Sequence, residues 1–110
     1  MADQALYQMS AAELAAGFAE RTISPVEVTE AVLDRAAAWE PKLNAMYLLF
    51  ADDARAAALA SEARWRAGRP LSLLDGVPVT LKENLYTEGH PAPLGTAAGS
   101  LDPKPADSPV

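Results

Sequence analysis

One lysine of this chain stands where a lysine can do chemistry. In Leu73-Leu74-Asp75-Gly76-Val77-Pro78-Val79-Thr80-Leu81-Lys82-Glu83-Asn84, the apolar run Val77 to Leu81 ends directly on Lys82. The ends of sheet strands are where α/β folds commonly hold catalytic groups. A lysine placed there acts as a base only if burial or a cationic neighbour lowers its pKa. On spacing alone it is an ordinary surface charge. The single histidine, His90, lies between Gly89 and Pro91. Without a visible partner it reads as a solvated loop residue rather than an acid–base catalyst. Ser100 follows Gly99, but one Gly-Ser pair in a proline-rich stretch is not a nucleophile elbow. Asp52 and Asp53 are adjacent in sequence, and adjacent residues on a helix do not face each other, so capping is a better reading than metal binding. The absence of cysteine excludes disulfides, thiol nucleophiles and Cys-based metal sites. One histidine cannot build a His-rich metal site.

The elements that must carry Lys82 are legible before it. Ser10-Ala11-Ala12-Glu13 reads as a capping box with Met9 and Leu14 as its hydrophobic staple, and Ser24-Pro25-Val26-Glu27 repeats it with Ile23 and Val28. Pro25 takes the favoured first helical position. These signals predict helices over 11–20 and 25–39, the second with Val28, Val32, Ala36 and Trp39 as one apolar stripe and Pro41 as its stop. A short apolar stretch, Met46 to Phe50, comes next. Asp52 or Asp53 then caps a third predicted helix that runs to about Ala67, with Gly68 as its stop. Its Ala54, Ala57 and Ala58 keep one face small. Glu62 and Arg66, at i,i+4 spacing, read as solvated surface. Trp39, Trp65 and Tyr47 read as packing residues.

Val77 to Leu81 is the one convincing strand in the sequence, with Pro78 near its start, where a missing donor is tolerated. A lone strand can satisfy neither its backbone nor both its faces, so its partners are expected outside these residues. The expected organisation is a helical segment over 1–70 followed by the start of a strand-bearing core over 71–110. The composition shifts accordingly: residues 90–110 hold five of the nine prolines.

The 110 residues suffice for one small domain or part of a larger one. Half are nominally hydrophobic, but 24 of those 55 are alanine, so the core is thin. Fifteen acidic against nine basic residues give a net charge of −6, which speaks against a nucleic-acid-binding surface. No apolar run reaches membrane-spanning length, and the N-terminus has no secretory pattern, so no membrane association and a cytoplasmic location are expected.

The stretch LLDGVPVTLKENLYTEGHPAPLGT resembles the start of the amidase signature family's catalytic core. The matching residues are Gly76-Val77-Pro78-Val79, Lys82-Glu83-Asn84, Gly89 and Gly95-Thr96. Upstream, Ser24-Pro25-Val26-Glu27 and Leu43-Asn44-Ala45 fit the family as well, and Asp107 matches the aspartate that opens its next helix. The resemblance implies an α/β amidase-signature fold, of which this chain would hold the N-terminal helical layer and the first core strand. It implies hydrolysis of carboxylic amides by a Ser–cis-Ser–Lys triad without a metal or organic cofactor. Lys82 would be the triad base, held neutral and activating the nucleophilic serine through a bridging serine. Backbone N–H groups of a Gly/Ser-rich loop would stabilise the oxyanion. That Gly/Ser-rich segment lies downstream of the matched stretch in the family, and none occurs here, so the chain is expected to be a fragment inactive by itself. The implied partners are a small-molecule amide substrate and, among possible assemblies, a homodimer. Two alternatives stay open: a small acidic helical interaction module derived from such an enzyme, and part of a transfer-RNA-dependent amidotransferase subunit.

Overall fold

A computed structural model of the chain describes residues 4–96 and 99–109. A 3-10 turn, Leu6–Gln8, leads into three helices: α1 (Ala11–Glu20), α2 (Pro25–Leu43) and α3 (Ala51–Arg66). The chain divides into two compact units, Met1–Pro78 and Val79–Val110.

Both predicted capping boxes form. The Ser10 amide donates to Glu13 Oε2 at 2.7 Å and the Glu13 amide donates back to Ser10 Oγ at 3.3 Å. Ser24 and Glu27 exchange the same pair at 2.8 and 3.1 Å. Each box satisfies two of the amides that a helix start leaves without partners. Replacing Ser24 with alanine is expected to cost about 1 kcal/mol. The measurable result is a lower urea midpoint with an unchanged denaturant slope.

The staples become the core. Leu14, Phe18 and Val28 are buried together, and Met9, Ile23, Val32, Trp65, Val77 and Leu6 pack against them. All four staple residues therefore face inward, so the devices that start the helices also dock them. Phe18 and Trp65 meet with ring centroids 6.1 Å apart and planes tilted by 55°, a geometry that aromatic pairs favour. Helix α2 packs against α3 and the 3-10 turn. Arg55 of α3 forks onto Glu30 of α2 at 2.7 and 3.2 Å, and the guanidinium holds the Glu30 carboxyl below its usual range.

Four expectations are corrected. Helix α2 does not stop before Pro41 but runs to Leu43, with Pro41 in its last turn. One missing donor there is tolerated because Asn44, in the left-handed region at φ 47°, donates its amide to Glu40 O and closes the helix. Helix α3 starts one residue before the expected caps: Ala51 is its first residue and Phe50 its N-cap. Asp52 and Asp53 instead lie in the first turn, where negative charge complements the helix dipole. Trp39 and Tyr47 are not packing residues, being 39% and 51% exposed; Arg35 and Lys42 lie over the Trp39 ring.

The fourth correction concerns the strand. Among the described residues there is no strand, only an isolated bridge between Glu88 and Lys104. Val77 to Leu81 makes no ladder, and Val79 is 77% exposed. A strand exists only through hydrogen bonds to a neighbour, and these residues supply none. The described architecture is helical, and the α/β class is not realised within it. No helix of the described residues is long and apolar enough to cross a membrane.

Candidate active site

Along the chain, two clusters bracket the segment that leads to Lys82. The first lies in the Met1–Pro78 unit and begins where α3 ends. Ala67 closes α3, Gly68 adopts φ 68°, its amide donates to Trp65 O at 3.0 Å, and the Arg69 amide donates to Arg64 O at 2.9 Å. This pair of bonds is the Schellman stop that Gly68 was expected to provide. It turns the chain back along α3, and Asp75 returns to Arg64. Arg64 Nη2 and Nε donate to Asp75 Oδ1 and Oδ2 at 2.6 and 2.7 Å. The Leu71 amide donates to Oδ2 at 2.9 Å, and the Trp65 indole donates to the Asp75 carbonyl at 2.8 Å. Gly76 follows at φ +90°, where an added Cβ would collide with Ser61 and Pro25. Only glycine fits that place.

The Asp75 side chain is 4% exposed. The Arg64 guanidinium, opposed by burial and helped by the Leu71 amide, holds its carboxyl well below the usual carboxylate range. The sign of the pH effect follows. A carboxyl depressed in the folded state contributes stability that is fully present above its unfolded pKa of about 3.9 and is lost as pH falls toward the folded value. Stability from this pair should therefore be level from neutral pH to about 5 and decline below about 4. Thermal midpoints measured across that range, with Asp75→Asn showing a flatter acid limb, check this.

The second cluster lies in the Val79–Val110 unit. Lys82 is exposed at the start of a turn, its carbonyl accepting from the Leu85 amide at 3.0 Å. Among the described residues its ammonium makes no hydrogen bond or ion pair. Glu83 is half-buried, its carboxylate lies against Gly95, and Oε2 has no hydrogen-bond partner among the described residues. Residues 86–90 and 104–108 then lie side by side. Tyr86 and Ser108 exchange two bonds of 2.9 Å, Gly89 donates to Lys104 O at 2.8 Å, and Lys104 donates to His90 O at 2.9 Å. Asp107 opens no helix within the described residues; its Oδ1 accepts the Glu88 amide at 2.7 Å.

His90 occupies a loop, as expected, with its amide on Thr87 O at 3.1 Å. Ser100 is exposed and closes a local turn, its hydroxyl on Asp102 Oδ2 at 2.6 Å and the Asp102 amide on its Oγ at 3.1 Å. No hydrogen bond links Lys82 to either of them among the described residues. Those residues also hold no cluster of three or more His, Asp or Glu able to bind a metal. The Arg64–Asp75 cluster is not visible in the sequence, where Asp75-Gly76 reads only as a turn signal. Its partners lie eleven residues apart on either side of a chain reversal, so no local spacing rule reports it.

Comparison with known proteins accounts for the pattern around Lys82. The chain is 41% identical over 105 residues to an indoleacetamide hydrolase of Bradyrhizobium diazoefficiens, a match covering 96% of this chain and 20% of the relative. It is 45% identical over 91 residues to a glutamyl-tRNA(Gln) amidotransferase subunit of Acidothermus cellulolyticus, covering 83% of this chain and 18% of the relative. Its fold matches the crystal structure of a bacterial aryl acylamidase of the amidase signature enzymes with a TM-score of 0.84 and 34% identity, over 94% of this chain and 21% of that one. The chain thus spans about a fifth of the length of these relatives. Residues 27–110, which include the Ser24-initiated helix almost entire and the whole Lys82 segment, match the family model described as Amidase. The chain belongs to the Amidase family.

Proposed function

We propose that this chain is the lysine-bearing N-terminal portion of an amide hydrolase, with Lys82 as the general base. The supporting observation is the run Gly76-Val77-Pro78-Val79 to Lys82-Glu83-Asn84 inside the stretch that matches the family. In the proposed reaction a serine hydroxyl, activated through a second serine by neutral Lys82, attacks the amide carbon. The C–N bond breaks, and ammonia or an amine leaves with the proton. Water then attacks the acyl-serine ester to release the carboxylic acid and regenerate the hydroxyl. A lysine is neutral near pH 7 only where burial or a neighbouring cation lowers its pKa, so the rest of the active site would have to enclose it. Both serines and the oxyanion donors would come from the part of the fold beyond the matched stretch. No cofactor enters this scheme, and a cytoplasmic location is proposed with it.

The similarity to the glutamyl-tRNA(Gln) amidotransferase supports a second reading within the same chemistry, in which the ammonia passes to an acyl acceptor on transfer RNA. The net charge of −6 favours the small-molecule hydrolase. The test is ammonia or amine release from indoleacetamide and from an anilide by the polypeptide that carries this chain. Turnover of either, without transfer RNA or partner subunits, supports the hydrolase. Residues 1–110 alone should release nothing, because removing the nucleophile and oxyanion donors together costs most of the rate in a triad enzyme. Serine-dependent turnover by 1–110 would overturn that division of labour.

A further inference from the structure

We propose that the stack of Tyr7, Arg35, Trp39 and Lys42 on the Met1–Pro78 unit is a docking surface for an acidic segment of another protein, a role independent of that of Lys82. The Arg35 guanidinium carbon lies 4.8 Å from the Tyr7 ring centroid and 4.6 Å from that of Trp39. Lys42 Nζ lies 5.2 Å from the Trp39 centroid. Arg35, Trp39 and Lys42 follow one another at helical spacings of four and three, so they share one face of α2. Tyr7 joins them from the 3-10 turn, which packs against that helix. All four residues are exposed, and so is Leu43, one turn beyond Trp39.

Charge selects the partner. Acidic residues outnumber basic ones fifteen to nine, yet the helical neighbours of Arg35 are Ala31, Val32, Ala38 and Trp39, and those of Trp39 are Arg35, Ala36, Lys42 and Leu43. Asp34 and Glu40 fall outside this face, and the Glu40 carboxylate is taken by the Met46 amide at 2.8 Å. Among the described residues neither Arg35 nor Lys42 enters an ion pair. Ring contacts use the charge of a guanidinium and leave its N–H donors for an acceptor, and the acceptor that matches two parallel bonds is a carboxylate. Trp, Tyr and Arg are also the residue types that carry most binding energy in protein interfaces. Held against one another beforehand, they lose little freedom when a partner arrives. The net charge of −6 opposes the dense phosphate charge of a nucleic acid. A protein segment instead brings a carboxylate to Arg35 together with apolar side chains to cover Trp39 and Leu43.

The experiment measures, by fluorescence anisotropy, the binding of a labelled peptide of glutamates interleaved with leucines to the polypeptide that carries this chain. The expected result is saturable binding that Arg35→Lys weakens about 10-fold, because the charge stays and the planar fork is lost. Trp39→Ala should weaken it by roughly 10- to 30-fold. Arg69→Gln, which removes an exposed charge outside the stack, should change it by less than about twofold. Should Trp39→Ala fail to fold by circular dichroism, Arg35→Lys decides: weakened binding supports the surface, unchanged binding rejects it. The proposal is overturned if the peptide does not bind saturably, or if the same peptide with glutamine for glutamate binds as well. Equal losses from Arg35→Lys and Arg69→Gln overturn it too, since diffuse charge would then suffice. Tighter binding of an oligothymidylate of matched charge would assign the surface to nucleic acid and reject a protein partner. A dimer seen by light scattering and broken by Arg35→Lys would seat a second copy there and reject it likewise.

Discussion

Replacing Lys82 with alanine is expected to reduce kcat/KM for amide hydrolysis by roughly 10⁴- to 10⁶-fold in the polypeptide that carries this chain. A serine hydroxyl is a weak nucleophile at neutral pH, and its reactivity depends on a base placed to take the proton. Removing one member of such a set costs nearly as much as removing all of them, because the members act as a unit. Binding should survive better than turnover, so an inhibitor should still bind the variant. The companion substitution, Lys82→Arg, separates chemistry from charge. Arginine keeps the positive charge but cannot be deprotonated in a protein, so it should be as inactive as alanine. If Lys82→Arg retained most of the rate, Lys82 would be an electrostatic or structural residue and not the base.

The second large effect concerns folding. Asp75→Ala should destabilise the Met1–Pro78 unit by about 1.5–3 kcal/mol, the range for losing hydrogen bonds to a charged group, because the Arg64 left behind keeps a third of its side chain in water. The substitution strips Arg64 of its acceptor and the Leu71 amide of its partner at once. A loss of that size is a large fraction of what a small domain has in reserve. The Trp65 indole sits on the Asp75 carbonyl and its ring against Phe18, so its fluorescence reports the loosening directly. Urea titrations followed by fluorescence and circular dichroism should show the midpoint falling sharply in both signals. A midpoint within experimental error of the unsubstituted chain would mean that the pair only offsets its own desolvation.

The two predictions are linked by the order of residues along the chain. Helix α3 ends in the Schellman turn at Gly68, the chain reverses, Asp75 locks onto Arg64, and the segment that bears Lys82 begins. The charged clamp adds to the apolar contacts that Val77 makes with the core. Leu71, Leu73 and Leu74, in the same unit as the clamp, are exposed.

How much of this the sequence discloses depends on the range of each interaction. The start of α3, which has no side-chain cap, was misplaced; the starts of α1 and α2 were legible because a capping box and a staple join residues three to five positions apart, and Ser10, Ser24, Met9, Leu14, Ile23 and Val28 carry the whole signal. The Gly68 stop was legible for the same reason. The family, and with it the candidate role of Lys82, was legible from a pattern of residues and not from any physical property of the lysine itself. Pro41 misled because the rule that proline ends a helix ignores the residues after it, and Asn44 was free to cap the extra turn. The strand misled because strandedness is not a property of one segment: Val77 to Leu81 has the composition, but hydrogen-bond partners decide.

By itself, then, the sequence determined where the first two helices begin and that their staple residues are buried, and it singled out Lys82 as the candidate base. Only the tertiary structure decided that Asp75 is buried against Arg64 and that Gly76 has no room for a side chain. Local signals need a few neighbouring residues in one conformation. The Arg64–Asp75 clamp instead needs a helix, a reversal and a return, and its energy exists only once all three have brought the buried Asp75 carboxylate against the Arg64 guanidinium.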